Sequence, residues 1–256
     1  MAASNIDPAI FEQLQAKIDE EGRIKDELKD IIQQLEKQGR VTQSILSRIH
    51  NTPTGQLGPA VFQPCERSIL TQIHLVKVLS DIASKHPFYK WNNLWTREMQ
   101  NLIFCLQLRH WLAHQELETI EQVGNELGVP INVKDRDIFH LTIEEYLLAL
   151  TNTIDELTRL APNAVTLGDF SRPLQISKFI KDIHAGFQLL NLKNDTLRRR
   201  SDGIKYAVKK VEDVVYDLSL RGLLPKQRSS DDTPAEAKGG AGAPASDMDS
   251  DVFLEG

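Results

Sequence analysis

The sequence predicts an all-α protein, a single domain of about seven helices packed as an antiparallel bundle. Three observations predict it. Apolar residues recur at three- and four-residue steps over long stretches. Many of the 14 glycines and 11 prolines sit near the ends of those stretches, and together they are few for an all-β chain that must turn every ~8–12 residues. The one β-prone piece, Pro-Ile-Asn-Val-Lys-Asp at 130–135, is short.

The first helix is expected over residues 8–50. Asp7 suits its N-cap and Pro8 its first turn. Ile10, Phe11, Leu14, Ile18, Leu28, Ile31, Leu35, Ile45 and Ile49 carry its periodicity, and Gly22 and Gly39 are weak points where it can bend. The breaker cluster NTPTGQLGP follows. A second helix is expected from Gln63 to Lys85, ended by His86-Pro87. A third, from Tyr89 to His114, is apolar on most sides and should be central. A short one near Glu116–Leu127 stops at Gly128. The fifth opens on the capping box Thr142-Ile143-Glu144-Glu145 and runs to about Leu160, before Pro162. The sixth has Ser171 as cap and Pro173 in its first turn, and ends near Leu192. The seventh spans Asp195 to Leu220 and is closed by Gly222.

Of the 256 residues, 41% are hydrophobic and 26% charged, which excludes wholesale disorder. No run approaches the ~18 apolar residues of a membrane helix, and the N-terminus has no signal-peptide pattern. Cys65 and Cys105 are expected as buried free thiols in a reducing compartment. The chain is therefore expected to be soluble and intracellular, with no membrane partner. The net charge of -6 is uneven: residues 225–256 hold seven acids against three bases. With GGAGAPAS and few large apolar residues, that stretch is expected to be a disordered acidic tail beyond a helical domain of residues 1–224.

Several constellations bear on chemistry. Leu190, Leu197, Ile204, Val211 and Leu218 repeat every seven residues, a seam for a partner helix in another chain or in the same one. Residues 190–210 carry Lys193, Arg198, Arg199, Arg200, Lys205, Lys209 and Lys210 against two acids. Such a run attracts phosphate backbones, or is a solvated helix face. Lys90, Asn92 and Arg97 lie among Tyr89, Trp91 and Trp95; this patch either stacks on unpaired bases or packs in the core. His110 and His114 are one turn apart but have no intervening Glu and no evident third ligand, so no metal site is expected. No Walker A, GxGxxG or GxSxG pattern is present.

The segment from Gly168 to Gly222, GDFSRPLQISKFIKDIHAGFQLLNLKNDTLRRRSDGIKYAVKKVEDVVYDLSLRG, resembles the C-terminal half of the translin family. A weaker likeness extends through FHLTIEEYLLALTNTIDELTRL to the first helix. The resemblance implies seven helices, hollow octamers that bind single-stranded RNA and DNA, and mixed octamers with a paralogue, translin-associated factor X. It further implies that the mixed complex is an endoribonuclease processing small RNAs and tRNA fragments in the cytoplasm and the nucleus. The paralogue's four magnesium-binding carboxylates fall here on Asn101, Phe104, Ser171 and Gln175, none of which is a carboxylate. No catalytic residue and no cofactor is thus expected in this chain, and Mg is expected in the partner subunit. The family's nucleic-acid patches fall on Lys25 and on Lys90 to Leu94, where the family's histidines are absent. The expected function is a non-catalytic, nucleic-acid-binding, oligomer-forming subunit. The alternatives are a Mg-dependent endoribonuclease active as a homomer and a helical scaffold that binds only proteins.

Overall fold

The computed structural model describes residues 8–133 and 137–224. The expected Asp7 cap and the expected acidic tail lie outside these residues. The architecture is all-α. In chain order the helices are α1 (Pro8–Leu46), α2 (Gln63–Ala83), α3 (Phe88–Trp91), α4 (Thr96–His114), α5 (Ile120–Leu127), α6 (Ile143–Thr166), α7 (Arg172–Gln188) and α8 (Asp195–Leu220). The β-prone segment contributes an isolated bridge, Ile131 to Leu141.

α1 is continuous through Gly22 and Gly39 and tightens into a 3-10 turn at Ser47–His50. It changes character along its length. Ile10, Phe11, Leu14 and Ile18 are exposed, whereas Leu28, Leu35, Leu46 and Ile49 are buried. Only the second half therefore packs, against α2 and α4. A polar network holds that seam: Gln72 Nε2 donates to Thr42 Oγ1 at 2.5 Å, and Thr42 and Ser68 share a hydroxyl contact at 2.6 Å. α4 is the central helix, with Leu102, Ile103, Cys105, Leu106 and Leu108 fully buried.

Four expectations need correction. The predicted third helix is two helices, because a 3-10 turn at Asn92–Leu94 separates α3 from α4. Asn92 and Asn93 are weak helix formers whose side chains compete for backbone groups. Asp137, distant in sequence, accepts from Phe88 N and fixes the start of α3. α6 does not stop before Pro162 but continues to Thr166. Leu157, Leu160, Ala161 and Ala164 are buried on both sides of the proline, and this packing outweighs its cost of ~3 kcal/mol. Ser171 does not cap α7. Its hydroxyl donates to Asp169 Oδ1 at 2.7 Å, and that same oxygen accepts from Arg172 N at 3.1 Å. Finally, Leu190 is not part of the α8 heptad row: it sits in the α7–α8 linker and is 44% exposed.

The other four heptad residues, Leu197, Ile204, Val211 and Leu218, are buried within the chain, where α8 packs on α6 and α7. Asn194 caps α8, its Oδ1 accepting from Thr196 N at 2.9 Å and Leu197 N at 3.0 Å. Gly222, at φ +66°, closes it, and Leu223 N reaches back to Leu218 O at 3.0 Å.

One charge cluster joins three helices. Arg109 of α4 donates to Glu126 of α5 at 2.8 Å and lies 3.6 Å from Glu66 of α2. Glu118, 3% exposed, faces this cluster with one carboxyl oxygen that has no donor. Burial, and then the neighbouring Glu126, push its pKa up to about 7. Cys65 and Cys105 are buried free thiols, and burial raises both pKa values.

Candidate nucleic-acid interface

The basic run of α8 divides by what its side chains touch. Arg198 pairs with Asp195 at 3.0 Å. Arg199 Nε donates to Asp195 O at 3.3 Å. Arg200 spans to α6, donating to Asn152 and to Thr151 Oγ1 at 3.3 Å, with Asp155 at 3.5 Å. Its guanidinium is therefore partly neutralised on the protein itself. Lys205 lies over the Tyr206 ring at 5.1 Å. Among the described residues, no carboxylate lies within 4.0 Å of Lys193, Lys205, Lys209 or Lys210.

The second patch divides as well. Trp91 and Trp95 are buried, and Trp95 packs on Phe88 and Phe139 with ring centroids at 5.8 and 5.3 Å. Neither indole is open to a base. Tyr89 is the exposed aromatic, 76% accessible, perpendicular to Phe88 at 5.2 Å. Lys90 is ion-paired with Glu21 of α1 and lies 5.3 Å from the Trp91 ring. That pair brings Lys25, one helical turn beyond Glu21 and exposed, into the neighbourhood of α3. Arg97 is exposed, 3.9 Å from Glu98.

The fold brings parts of these two patches together. A groove of about 770 Å³ is lined both by Tyr89, Asn92, Asn93 and Gln100 and by residues 191–194 with Thr196 and Leu197. Asn132, His140 and the first turn of α6 also line it. Asn194 Nδ2 donates to Glu144 Oε2 at 3.1 Å and ties the start of α8 to the start of α6 beside it. The Thr142 capping box fixes that α6 terminus: Glu145 N donates to Thr142 Oγ1, and Thr142 N to Glu145 Oε2, both at 3.1 Å. Glu145 also accepts from Thr96 Oγ1 at 2.9 Å, locking α6 to α4. Gln100, Asn132 and Asn191 are members of this groove that no sequence pattern singled out. Their one shared signal is a concentration of amides at element ends.

Asn101, Phe104, Ser171 and Gln175, the positions at which the resemblance leads us to expect no carboxylate, are engaged elsewhere. Asn101 Nδ2 donates to Glu98 Oε2 at 3.2 Å, and Phe104 packs half-buried against the core. Ser171 serves Asp169. Gln175 lines a separate, mainly apolar groove of about 640 Å³ with Phe179, Ile183 and Phe187. Burial opposes the charge of Asp169, but hydrogen bonds from Thr54, Ser171 and Arg172 N outweigh it and hold its carboxyl below the usual range. His110 and His114 sit with ring centroids 4.5 Å apart, and His114 Nδ1 lies 3.2 Å from His110 O. Among the described residues, no three His, Cys, Asp or Glu side chains gather as a metal-binding group, and no helix is long and apolar enough to cross a membrane.

Comparison with known proteins places this geometry. The model of the Translin family matches residues 23–222. Translin of Gallus gallus is 38% identical over 234 residues, covering 91% of this chain and 97% of that protein. Translin of Homo sapiens is 40% identical over 221 residues, covering 84% and 93%. Translin-associated protein X of Rattus norvegicus is more distant, 21% identical over 175 residues and covering 61% and 60%. Among solved structures, apo-NeC3PO superposes with a TM-score of 0.62 at 14% identity, and the AfC3PO–duplex RNA complex with 0.56 at 15%. Each covers 83% of this chain and 98% of the other, and these likenesses bear on the fold alone. With a family model spanning most of the helical chain and full-length relatives near two-fifths identity, the chain belongs to the translin family.

Proposed function

We propose that this chain binds single-stranded RNA and DNA and assembles both as a homo-octamer and, with a translin-associated factor X paralogue, as a mixed octamer. In the mixed assembly it is the nucleic-acid-binding, non-catalytic subunit of an endoribonuclease that processes small RNAs or tRNA fragments, in the cytoplasm and the nucleus. One observation carries the reading. Two patches about a hundred residues apart in sequence, one around Asn92 and one opening the basic run at Lys193, meet across a single groove. The kinship with translins supports it.

The non-catalytic assignment rests on residue types. Magnesium-assisted hydrolysis of a phosphodiester needs anionic oxygens to hold the ion. Asn101, Phe104, Ser171 and Gln175 supply none at the aligned positions, so the magnesium-binding carboxylates belong to the partner subunit.

Titration of a labelled single-stranded RNA with the full-length protein at two salt concentrations tests the binding. Affinity should fall steeply with salt, since phosphate contacts release counterions; salt-independent binding, or none, would refute it. The same purified homomer incubated with RNA and Mg²⁺ should leave the RNA intact. Cutting that EDTA abolishes and that survives stringent purification would instead make the homomer the nuclease.

A further inference from the structure

We infer that the groove between the α3–α4 corner and the α7–α8 linker is a base-reading pocket, which takes the hydrogen-bonding edge of an unpaired nucleobase while the lysines of α8 hold the backbone. The inference rests on the proposed binding of single strands and adds what is recognised and by which residues.

The argument starts from unsatisfied hydrogen-bonding capacity. Asn92, Gln100, Asn132 and Asn191 all line the groove, and none of their side chains makes a hydrogen bond within the described chain. Each amide offers two N–H donors and a carbonyl acceptor. By contrast, Asn194 caps α8 and reaches Glu144, and Asn163 meets His50 at 2.9 Å. With Asn93, which lines the groove and is likewise without a side-chain hydrogen bond among the described residues, five uncommitted amides converge from three separate segments, an arrangement for a ligand that carries donors and acceptors side by side.

Two further features narrow that ligand. Tyr89 stands at the rim, 76% exposed and perpendicular to Phe88, with ring surface open to stacking. Lys193 also lines the groove, and among the described residues no carboxylate lies within 4.0 Å of it. A planar group with a mixed donor–acceptor edge, joined to an anion, is a nucleotide. Amides read such edges in bidentate fashion, and aromatic side chains stack on unpaired bases. A base in a duplex would present this edge to its own partner, so the pocket selects single strands. Its volume, about 770 Å³, lies within the range of about 300–1,000 Å³ typical of ligand clefts. Asn132 holds φ at +41°, a left-handed conformation that asparagine tolerates better than most residues.

The test compares two probes on the full-length protein, a labelled single-stranded RNA and an abasic oligonucleotide of equal length. The wild type should bind the base-bearing strand more tightly. The variant carrying Gln100→Ala, Asn132→Ala and Asn191→Ala should lose about ten- to a hundred-fold on that strand and little on the abasic one. Tyr89→Ala should show the same selectivity, with a loss of about ten-fold. If the triple variant loses helicity, Asn191→Ala in the exposed linker replaces it, with a loss of about three- to ten-fold. Equal wild-type affinity for both probes, or a variant that keeps its preference for bases, would overturn the pocket and leave phosphate binding standing. Binding of neither probe would overturn the pocket together with the proposed function.

Discussion

Reversing the logic of charge on α8 gives the sharpest quantitative check. Of its six bases, the three arginines are engaged with protein groups, through Asp195 or through Asn152 and Asp155. Among the described residues, no carboxylate lies within 4.0 Å of Lys205, Lys209 or Lys210. On a single strand, each phosphate neutralised contributes about 0.7 to the slope of log affinity against log salt. Replacing these three lysines with glutamine should therefore lower the magnitude of that slope by about 2 and weaken binding about a hundred-fold near 0.1 M salt. Arg198→Gln with Arg200→Gln should change the slope by less than about 1, because those guanidiniums already face carboxylates. Fluorescence anisotropy at four or so salt concentrations measures both slopes, and circular dichroism confirms that helicity is kept. An unchanged slope in the triple-lysine variant, with helicity intact, would show that α8 does not face the nucleic acid.

Other outcomes follow from packing and protonation. Folding raises the Glu118 pKa from 4.5 to about 7, so the folded state holds the extra proton, and stability should fall as pH rises through that window and level off above it. Glu118→Gln should remove the slope and stabilise the protein at pH 8 by up to about 3 kcal/mol, read by urea denaturation at pH 5 and 8. Asp169→Ala removes acceptors for Thr54, Ser171 and Arg172 N and should cost about 2–3 kcal/mol at neutral pH. Because the Asp169 pKa is lowered, that stabilisation should be present above 3.8 and vanish as pH falls through the folded value. Val211→Ala, at a fully buried position, should cost about 2–3 kcal/mol, while Leu190→Ala should cost under about 0.5. Equal costs for the two would contradict the internal placement of the heptad row.

Local chemistry was legible wherever the deciding atoms are close in sequence. The Thr142 box reaches only to Glu145, and Gly222 needs only φ > 0, so both helix ends were readable from four or five residues. The failures share the opposite property. The start of α3 at Phe88 depends on Asp137, and the passage of α6 through Pro162 depends on buried neighbours beyond the proline itself. Ser171 reads as a cap by type, yet Asp169 two residues earlier takes the helix N–H because Thr54, from a distant turn, holds it in place. At the candidate interface the residue types were visible and their partners were not. Lys90 looked like an available base, and Glu21 claims it; Trp91 and Trp95 looked able to stack, and the core claims them. The groove itself is a product of tertiary structure, since its walls come from segments that no periodicity links.

The two halves of α1 obey different physics. Past Leu28 each turn is clamped between neighbouring helices, but before it the apolar row from Ile10 to Ile18 stands in water, where a helix survives on its own backbone bonds. Within that outer half, the ion pair from Glu21 to Lys90 supplies a tether. Amide exchange should accordingly run fast at the outer turns and slow abruptly near Leu28, so one unbroken rod would melt from its solvent-exposed turns inward.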